Sequence, residues 1–573
     1  MDLSNRHLRG DIDALGICLS KLDGLLQTSM GALRVAILRR VIPIVYASVV
    51  LLSGATAARS QNQTGDSTTT PSISAGPSLK DAEYLYRTGR LDDAIREYTR
   101  LEAGPQAALA HAGVTRVYLL KKDRDAADAA ANKANELAPN NAETKVALGE
   151  IYFRQGELAE AEAEFIAVIN SGANNARAYL GLARTSQTIS YYAREKRLID
   201  KAHELDPSDP DITHFWMDTL PLADRTKALK DYLSKDTNDD FETRKWLEKE
   251  LELRQKDPLF DSHPCRMVSN TPTSEVDLRP LLESEVLEGF GLDLTVNGVT
   301  SRLLLDTGAD DILITKKAAD KAHVTKIFDM EFSGYGDKKP ARGYLGHADT
   351  LQIGNMEFHD CNVQVVEKGS FPNEGIIGPE VFSDFLVDLD MPNRKFRLSE
   401  LPVRPGEARR TPSLGYDPDA ASEFHDRYVA PEMKGYSPVF RFEHMLLIPA
   451  RVNDLAPRLF VIDTGAFTSI ITPEAAREVT KVSNEPDAEF EGLSGRVKKV
   501  YVGGELTLTF AGLRQTNLDI LSVDERSLSD SVGTEISGTL GFRLLMMLDM
   551  EIDYRDGLVS LKYEPPTNDA KKN

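Results

Sequence analysis

"RLLLDTGADD" (Arg302–Asp311) sets an aspartate in a turn directly after three leucines, and "LFVIDTGAFT" (Leu459–Thr468) does the same 157 positions later. In each, an apolar strand runs into Asp-Thr-Gly-Ala. The likeness spreads outward. "GFGLDLTVNGVTSRLLLDTGADDILIT" alternates apolar and polar residues about a Val-Asn-Gly turn, the pattern of a β-hairpin. "FEHMLLIPARVNDLAPRLFVIDTGAFTSIIT" repeats the order strand, Asn-containing turn, strand, Asp-Thr-Gly-Ala. Farther on, "EGIIGPEVFSDFLVDLDMPNRKFRL" pairs with "SGTLGFRLLMMLDMEIDYRDGLVSL". Matched blocks in the same order make two copies of one β-rich unit, 285–400 and 438–565, with a Pro- and charge-rich connector at 401–437.

Two such units supply what one cannot. Water attacks an amide carbonyl when one carboxylate takes its proton and a carboxylic acid donates to the carbonyl oxygen. That requires two aspartates close enough to share a proton, and like charges so placed do not both ionise easily. Asp306 and Asp463 each sit on a tight turn, so the two units must face each other. Gly308 and Gly465 let the turns approach closely. The hydroxyls of Thr307 and Thr464 are placed to bond across to the partner turn. The apolar strand before each Asp anchors its turn on a packed scaffold.

This constellation resembles the aspartic proteases, and "DTGADD", with Ala after the Gly, resembles the retroviral type. "GIIG" (Gly375–Gly378) and "GTLG" (Gly538–Gly541) resemble the family's apolar-apolar-Gly element, which packs under the active-site loop. The resemblance covers about half of the chain. It implies a β-barrel-like lobe per copy, Asp306 and Asp463 as the catalytic pair, and Thr307, Gly308, Thr464 and Gly465 as the supporting turns. It also implies a Gly-rich hairpin flap. Gly334, Tyr335 and Gly336 of "FSGYGD" hold that place in the first copy, and Gly492 and Gly495 of "FEGLSG" in the second. The adjacent Asp310 and Asp311 read as a turn and a solvated or ion-paired pair. His359 and His444 read as surface or packing residues.

Before the β units the pattern is helical. From Ser78 to about Met217 the chain is rich in Ala, Leu, Glu and Lys, with a period of 34 residues. In "AETKVALGEIYFRQGELAEAEAEFIAVI", Leu148, Gly149, Tyr152, Ala161 and Phe165 fall at fixed offsets. Val114, Tyr118, Ala127 and Ala131 answer them one period earlier, and Leu182 and Ala183 one period later. This resembles tetratricopeptide repeats, about four of them. Stacked helix pairs form a concave surface suited to a peptide or protein partner, or act as a plain spacer. Residues 226–255 extend the helical region, giving a helical unit over 78–256 and a linker over 257–284.

The amino end reads as targeting. After Met30, Arg34, Arg39 and Arg40 precede an apolar run, Val41–Leu52, and Ala55-Thr56-Ala57 supplies a small-x-small cleavage pattern. Residues 1–57 form this segment, with Met30 as an alternative start, and an uncleaved membrane anchor is the rival to a cleaved signal. Ser/Thr-rich 58–77 follows as a disordered linker, and 566–573 reads as a disordered tail. Of three cysteines, Cys265 and Cys361 lie beyond the cut, and disulfide and free thiols both remain open. The net charge of −21 excludes a general nucleic-acid binder, which needs a basic footprint. No phosphate loop, His-Glu-x-x-His or Cys-x-x-Cys occurs, so no cofactor and no metal are expected.

The sequence thus describes a multidomain α + β chain: an amino-terminal α-helical tetratricopeptide solenoid, then an all-β bilobal aspartic protease-like domain. Its expected function is that of an exported aspartic endopeptidase, periplasmic or secreted and of bacterial style. A peptide or protein is the expected substrate, and the repeats would recruit a partner. An inactive peptide-binding scaffold and a repeat adaptor of an envelope complex are the alternatives. Because each β unit builds its own core, the helical unit should be separable from it.

Overall fold

Asn141, Asn175 and Asp209 show how the 34-residue period is written into helix starts. Each accepts backbone N–H bonds from the first turn of the helix that follows it. The computed structural model describes residues 77–563, apart from 236–238, 240, 257–264, 284, 333–340, 368–372, 409–410, 416–423, 443, 485–489, 493–494 and 498. The targeting segment and Cys18 therefore lie outside the described residues. Helices α1 (Leu79–Arg87), α2 (Leu91–Leu101), α3 (Ala107–Leu120), α4 (Arg124–Leu137), α5 (Ala142–Gln155), α6 (Leu158–Asn170), α7 (Ala176–Thr188) and α8 (Tyr192–Leu205) stack as antiparallel pairs. Phe165 fills the seam between α5 and α7, its ring against Gly149 and Gly181. Helices α9 (Pro210–Asp218), α10 (Leu222–Leu233) and α11 (Phe241–Lys256) close the array. Among the described residues no helix is long and apolar enough to cross a membrane.

The face shared by the first helices of the pairs is filled by the chain's own charges. Arg116 and Arg177, both buried, pair with Glu143 and with Asp209 (2.8 Å) and Asp211 (3.1 Å). Arg87 of α1 reaches Asp206 at 2.8 Å, so the array winds back on its own start.

The first lobe is built from β1 (Cys265–Met267), β2 (Ser274–Asp277), β3 (Arg279–Glu283), β4 (Val286–Val296), β5 (Val299–Leu305), β6 (Ile312–Thr315), β7 (Thr325–Phe332), β8 (Ala341–Ile353), β9 (Met356–Val366), β10 (Gly375–Ile377), β11 (Phe385–Asp390), β12 (Lys395–Glu400) and β13 (Ser413–Leu414), with α12 (Lys316–Lys321). The second runs from β14 (Ser437–Pro438) through β15 (Phe440–Phe442), β16 (Met445–Val452), β17 (Pro457–Ile462), β18 (Ile470–Ile471), α13 (Pro473–Arg477) and β19 (Val482–Asn484). It continues with β20 (Phe490–Gly492), β21 (Gly495–Val497), β22 (Val500–Gly503), β23 (Leu506–Phe510), β24 (Leu513–Asn517) and β25 (Ile520–Val523). It ends with α14 (Arg526–Val532), β26 (Gly538–Leu540), α15 (Phe542–Leu545), β27 (Leu548–Asp553) and β28 (Leu558–Tyr563). Each lobe folds around one ten-stranded sheet, and a six-stranded sheet ordered β14-β28-β27-β11-β12-β2 underlies both. At its centre β11 of the first lobe pairs with β27 of the second, Leu389 opposite Met550. One large apolar core is continuous through the two lobes.

Two expectations are corrected. Residues 265–283 of the expected linker are lobe structure: β1 pairs with β9, β2 with β12 and β3 with β4, and a disulfide joins Cys265 to Cys361. The connector likewise supplies β13, which pairs with β1. These strands are too short to show a period of their own, and their neighbours in the sheet make them strands. The helical unit also does not stand apart from the lobes. Phe153 and Leu158 share a buried cluster with Phe442, Leu447, Leu459, Val461, Leu528 and Ile536 of the second lobe. Arg154 pairs with Asp530 and donates to Ser529 O at 2.8 Å, while Glu535 N–H donates to Arg154 O at 2.8 Å. Arg441 of the second lobe donates to Tyr192 of α8 (3.1 Å) and pairs with Glu380 of the first lobe, tying three parts together.

Candidate active site

Each Asp-Thr-Gly turn is held by the apolar-apolar-Gly strand beside it. β10 runs parallel to β5, Ile377 beside Leu305, and Asp306 N–H donates to Ile377 O at 3.0 Å. β26 runs parallel to β17, Leu540 beside Ile462, and Asp463 N–H donates to Leu540 O at 3.0 Å. A Cβ on Gly378 would lie 2.0 Å from Ala309 O, so only glycine lets this element sit against the turn.

The turns then lock onto each other. Thr307 N–H donates to Thr464 Oγ1 (3.0 Å), and Thr464 N–H donates to Thr307 Oγ1 (2.9 Å). Each hydroxyl in turn donates a hydrogen bond to the opposite strand: Thr307 Oγ1 to Ile462 O and Thr464 Oγ1 to Leu305 O, both at 2.8 Å. All four bonds are buried. They bring the two carboxyls into direct hydrogen-bond contact. Gly308 and Gly465 make that approach sterically possible. A Cβ on Gly465 would fall 2.3 Å from Asp306 Cγ, and one on Gly308 would fall 2.7 Å from Asp463 Oδ2. The sequence thus places all six turn residues, Asp306, Thr307, Gly308, Asp463, Thr464 and Gly465, and the fold brings them together.

The pair is buried: Asp306 and Asp463 are each 1% exposed. Burial pushes the Asp463 carboxyl up to about 6, because an ion there is poorly solvated. Hydrogen bonds from Asp306, from Ala466 N–H (3.0 Å) and from Gly465 N–H (2.8 Å) pull the other way and are outweighed. Asp306 Oδ1 accepts from Gly308 N–H at 2.8 Å. The arrangement can hold one proton between two oxygens and leave a carboxylate beside it.

Around the dyad the sequence expectations fare unevenly. His444 is buried as packing, its ring bonded to the Gly308 backbone; burial pushes it down to about 4, so it is neutral. His359 lies on the surface, 2.7 Å from Glu357. Asp311 departs from the expected solvated or ion-paired acid. It accepts from Ile312 N–H (2.7 Å) and Gln364 Nε2 (3.1 Å), and burial pushes it up to about 6. Gly334, Tyr335 and Gly336 fall outside the described residues, between the paired ends of β7 and β8 at Phe332 and Ala341. In the second lobe, "FEGLSG" does form a hairpin, with Gly492 opposite Gly495. Glu525 gave no signal in the sequence. It is fully buried beside the second turn, within the field of Asp463, and burial pushes its carboxyl up to about 8.

Residues 292–381 and 448–544 match the aspartyl protease family. Each lobe thus carries one match to that family's model. Residues 118–185 match the tetratricopeptide repeat. The chain is 25% identical over 114 residues to DNA damage-inducible protein 1 of Kluyveromyces lactis, covering 19% of this chain and 26% of that protein. It is 29% identical over 112 residues to Protein DNA-DAMAGE INDUCIBLE 1 of Arabidopsis thaliana, covering 18% and 24%. It thus spans about a quarter of the length of these curated relatives. Among solved structures, the aspartic proteinase from Irpex lacteus aligns over 52% of this chain and 98% of its own, with 12% identity and a TM-score of 0.33. The matches to the aspartyl protease model fall in the two lobes and the tetratricopeptide match falls in the helical unit.

Proposed function

We propose that the chain is an exported endopeptidase whose Asp306 and Asp463 activate water against a peptide bond. The carrying observation is the reciprocal pair of threonine bonds, which holds the two carboxyls in contact in a buried site. With one proton shared, the ionised carboxylate takes a proton from water as the water attacks the carbonyl carbon. The protonated partner donates to the carbonyl oxygen, giving a tetrahedral diol. Collapse of the diol breaks the C–N bond, and the proton just received moves to the departing amine. An extended peptide would lie between the lobes under the hairpins and bond through its backbone. The array, seated against the second lobe, would bring protein substrates or a partner to that cleft. Export to the periplasm or beyond is supported by the Cys265–Cys361 disulfide, a bond that persists in oxidising compartments.

The test is digestion of a mixed peptide library by the full chain, beside Asp306→Asn and Asp463→Asn. Each variant should lose cleavage by at least about 10³-fold while its circular dichroism is unchanged. Wild-type turnover in either variant would refute the two-aspartate mechanism.

A further inference from the structure

The two lobes are not equivalent beside the dyad. Strand alternation sends Ile462 and Leu540 into the common core, so Val461, Thr539 and the Asp463 carboxyl share the opposite face. In the first lobe Leu304, Ala309, Leu313, Phe332, Val366 and Ile376 cluster there, and the buried acid of that lobe, Asp311, already has Gln364 as its partner at 3.1 Å. The second lobe keeps the pattern at Val461, Ala466, Ile470 and Val523, then departs from it at Thr539, which stands where the first lobe has Ile376. Behind Thr539 lies Glu525. Its Oε1 accepts from Thr539 Oγ1 at 3.0 Å, while its Oε2 is buried and has no hydrogen-bond partner. A buried acid left half satisfied is costly, and the cost is removed by a donor that enters the same face.

We propose that Thr539 and Glu525 form a side-chain subsite beside the scissile bond that selects lysine or arginine, whereas the first lobe's subsite selects an apolar residue. This rests on the proposed peptide hydrolysis at Asp306 and Asp463. The entering ammonium or guanidinium takes Oε2 as its partner, and the acid's proton leaves to solvent. A cation suits this site better than a neutral donor, because it offsets the charge that burial otherwise forbids. Asp306, Asp463, Thr539 and Glu525 are all buried to within 1%.

The test reads cleavage positions in a proteome-derived peptide library by mass spectrometry, using the full chain. Cuts should carry Lys or Arg on one side of the broken bond and apolar residues on the other. Glu525→Gln, which keeps the bond to Thr539, should lower the basic preference about 10- to 100-fold relative to apolar residues. Thr539→Ile, which restores the first lobe's residue, should lower it too. Library cuts that depend on both aspartates but show no basic preference, or a preference unchanged in both variants, would overturn the subsite and leave the protease standing. If no cutting occurs, binding decides. Peptide pairs differing only in lysine against norleucine are titrated onto Asp306→Asn by fluorescence anisotropy, with and without Glu525→Gln. Tighter binding of the lysine peptide that is lost with Glu525→Gln supports the subsite, and equal affinities overturn it.

Discussion

Thr464→Val isolates the lock between the turns. Valine matches threonine in shape but cannot bond. The change leaves Thr307 N–H without its acceptor and Leu305 O without this donor, both inside the molecule. Each buried group so stranded costs about 1–3 kcal/mol, so the variant should be destabilised by about 2–6 kcal/mol. Thr464→Ser keeps both bonds and loses one methyl group, which costs about 1 kcal/mol. Loosening the lock also lets the carboxyls drift, and a shift of about 1 Å lowers turnover roughly 10²-fold. The assay is urea denaturation of the full chain, followed by circular dichroism and by cleavage of a library peptide. Thr307→Val should behave like Thr464→Val, and the double variant should cost less than the two together, because one loss already frees both turns. A Val variant within about 0.5 kcal/mol of wild type, cutting at the wild-type rate, would refute the reasoning.

Four further outcomes are expected. Deleting 78–256, or replacing Leu158 by Asp, should expose or charge the cluster of Phe442, Leu459 and Ile536 and make the catalytic half aggregate; light scattering reads this, and a soluble active half would contradict the packed interface. Asp463 is raised to about 6 and must share a proton with Asp306, so peptide cleavage should fall as pH rises through about 6; the alkaline limb of kcat/KM checks it. Glu525 and Glu195 are raised to about 8 and Asp553 to about 7, so each folds most favourably as the neutral acid. The stability they contribute is complete below about pH 4 and is lost progressively as pH climbs to 7 to 8, so the thermal midpoint should drop between about pH 5 and 8. The Cys265–Cys361 bond closes a separation of 96 residues, so reduction should lower stability by up to about 4–5 kcal/mol, read as a fall in midpoint with a phosphine reductant.

What was legible in the sequence was what is local and repeated. Asp-Thr-Gly-Ala after an apolar strand, twice, with an apolar-apolar-Gly element after each, fixed the lobes and the dyad. Leu148, Gly149, Tyr152, Ala161 and Phe165, answered one period earlier and later, made the helical period visible. What was hidden depends on distant partners. Cys265–Met267 is a strand only because β9 and β13 flank it. Phe153 and Leu158 read as ordinary repeat residues, yet Leu158 is buried, and Phe153 packed, against the second lobe. Glu525 sits in "SVDERSLSD", a stretch polar enough to pass for a surface turn, and only the fold encloses it. Asp311, beside the more conspicuous Asp306, is likewise known as a buried acid, pushed up to about 6, only from the fold, which also carries Gln364 to it on β9.

The pairing of β11 with β27 has one more consequence. A site assembled from two identical chains exists only at concentrations where they associate, and every substitution appears twice. Here both halves travel on one polypeptide. The second half sees the first at an effective concentration that dilution of the protein cannot lower. Each half is also free to change alone: a residue altered beside Asp463 has no twin forced on it beside Asp306. Tandem fusion thus turns a mirror into a left hand and a right hand, and the exchange of isoleucine for threonine between Ile376 and Thr539 is the kind of difference that no symmetric dimer could keep.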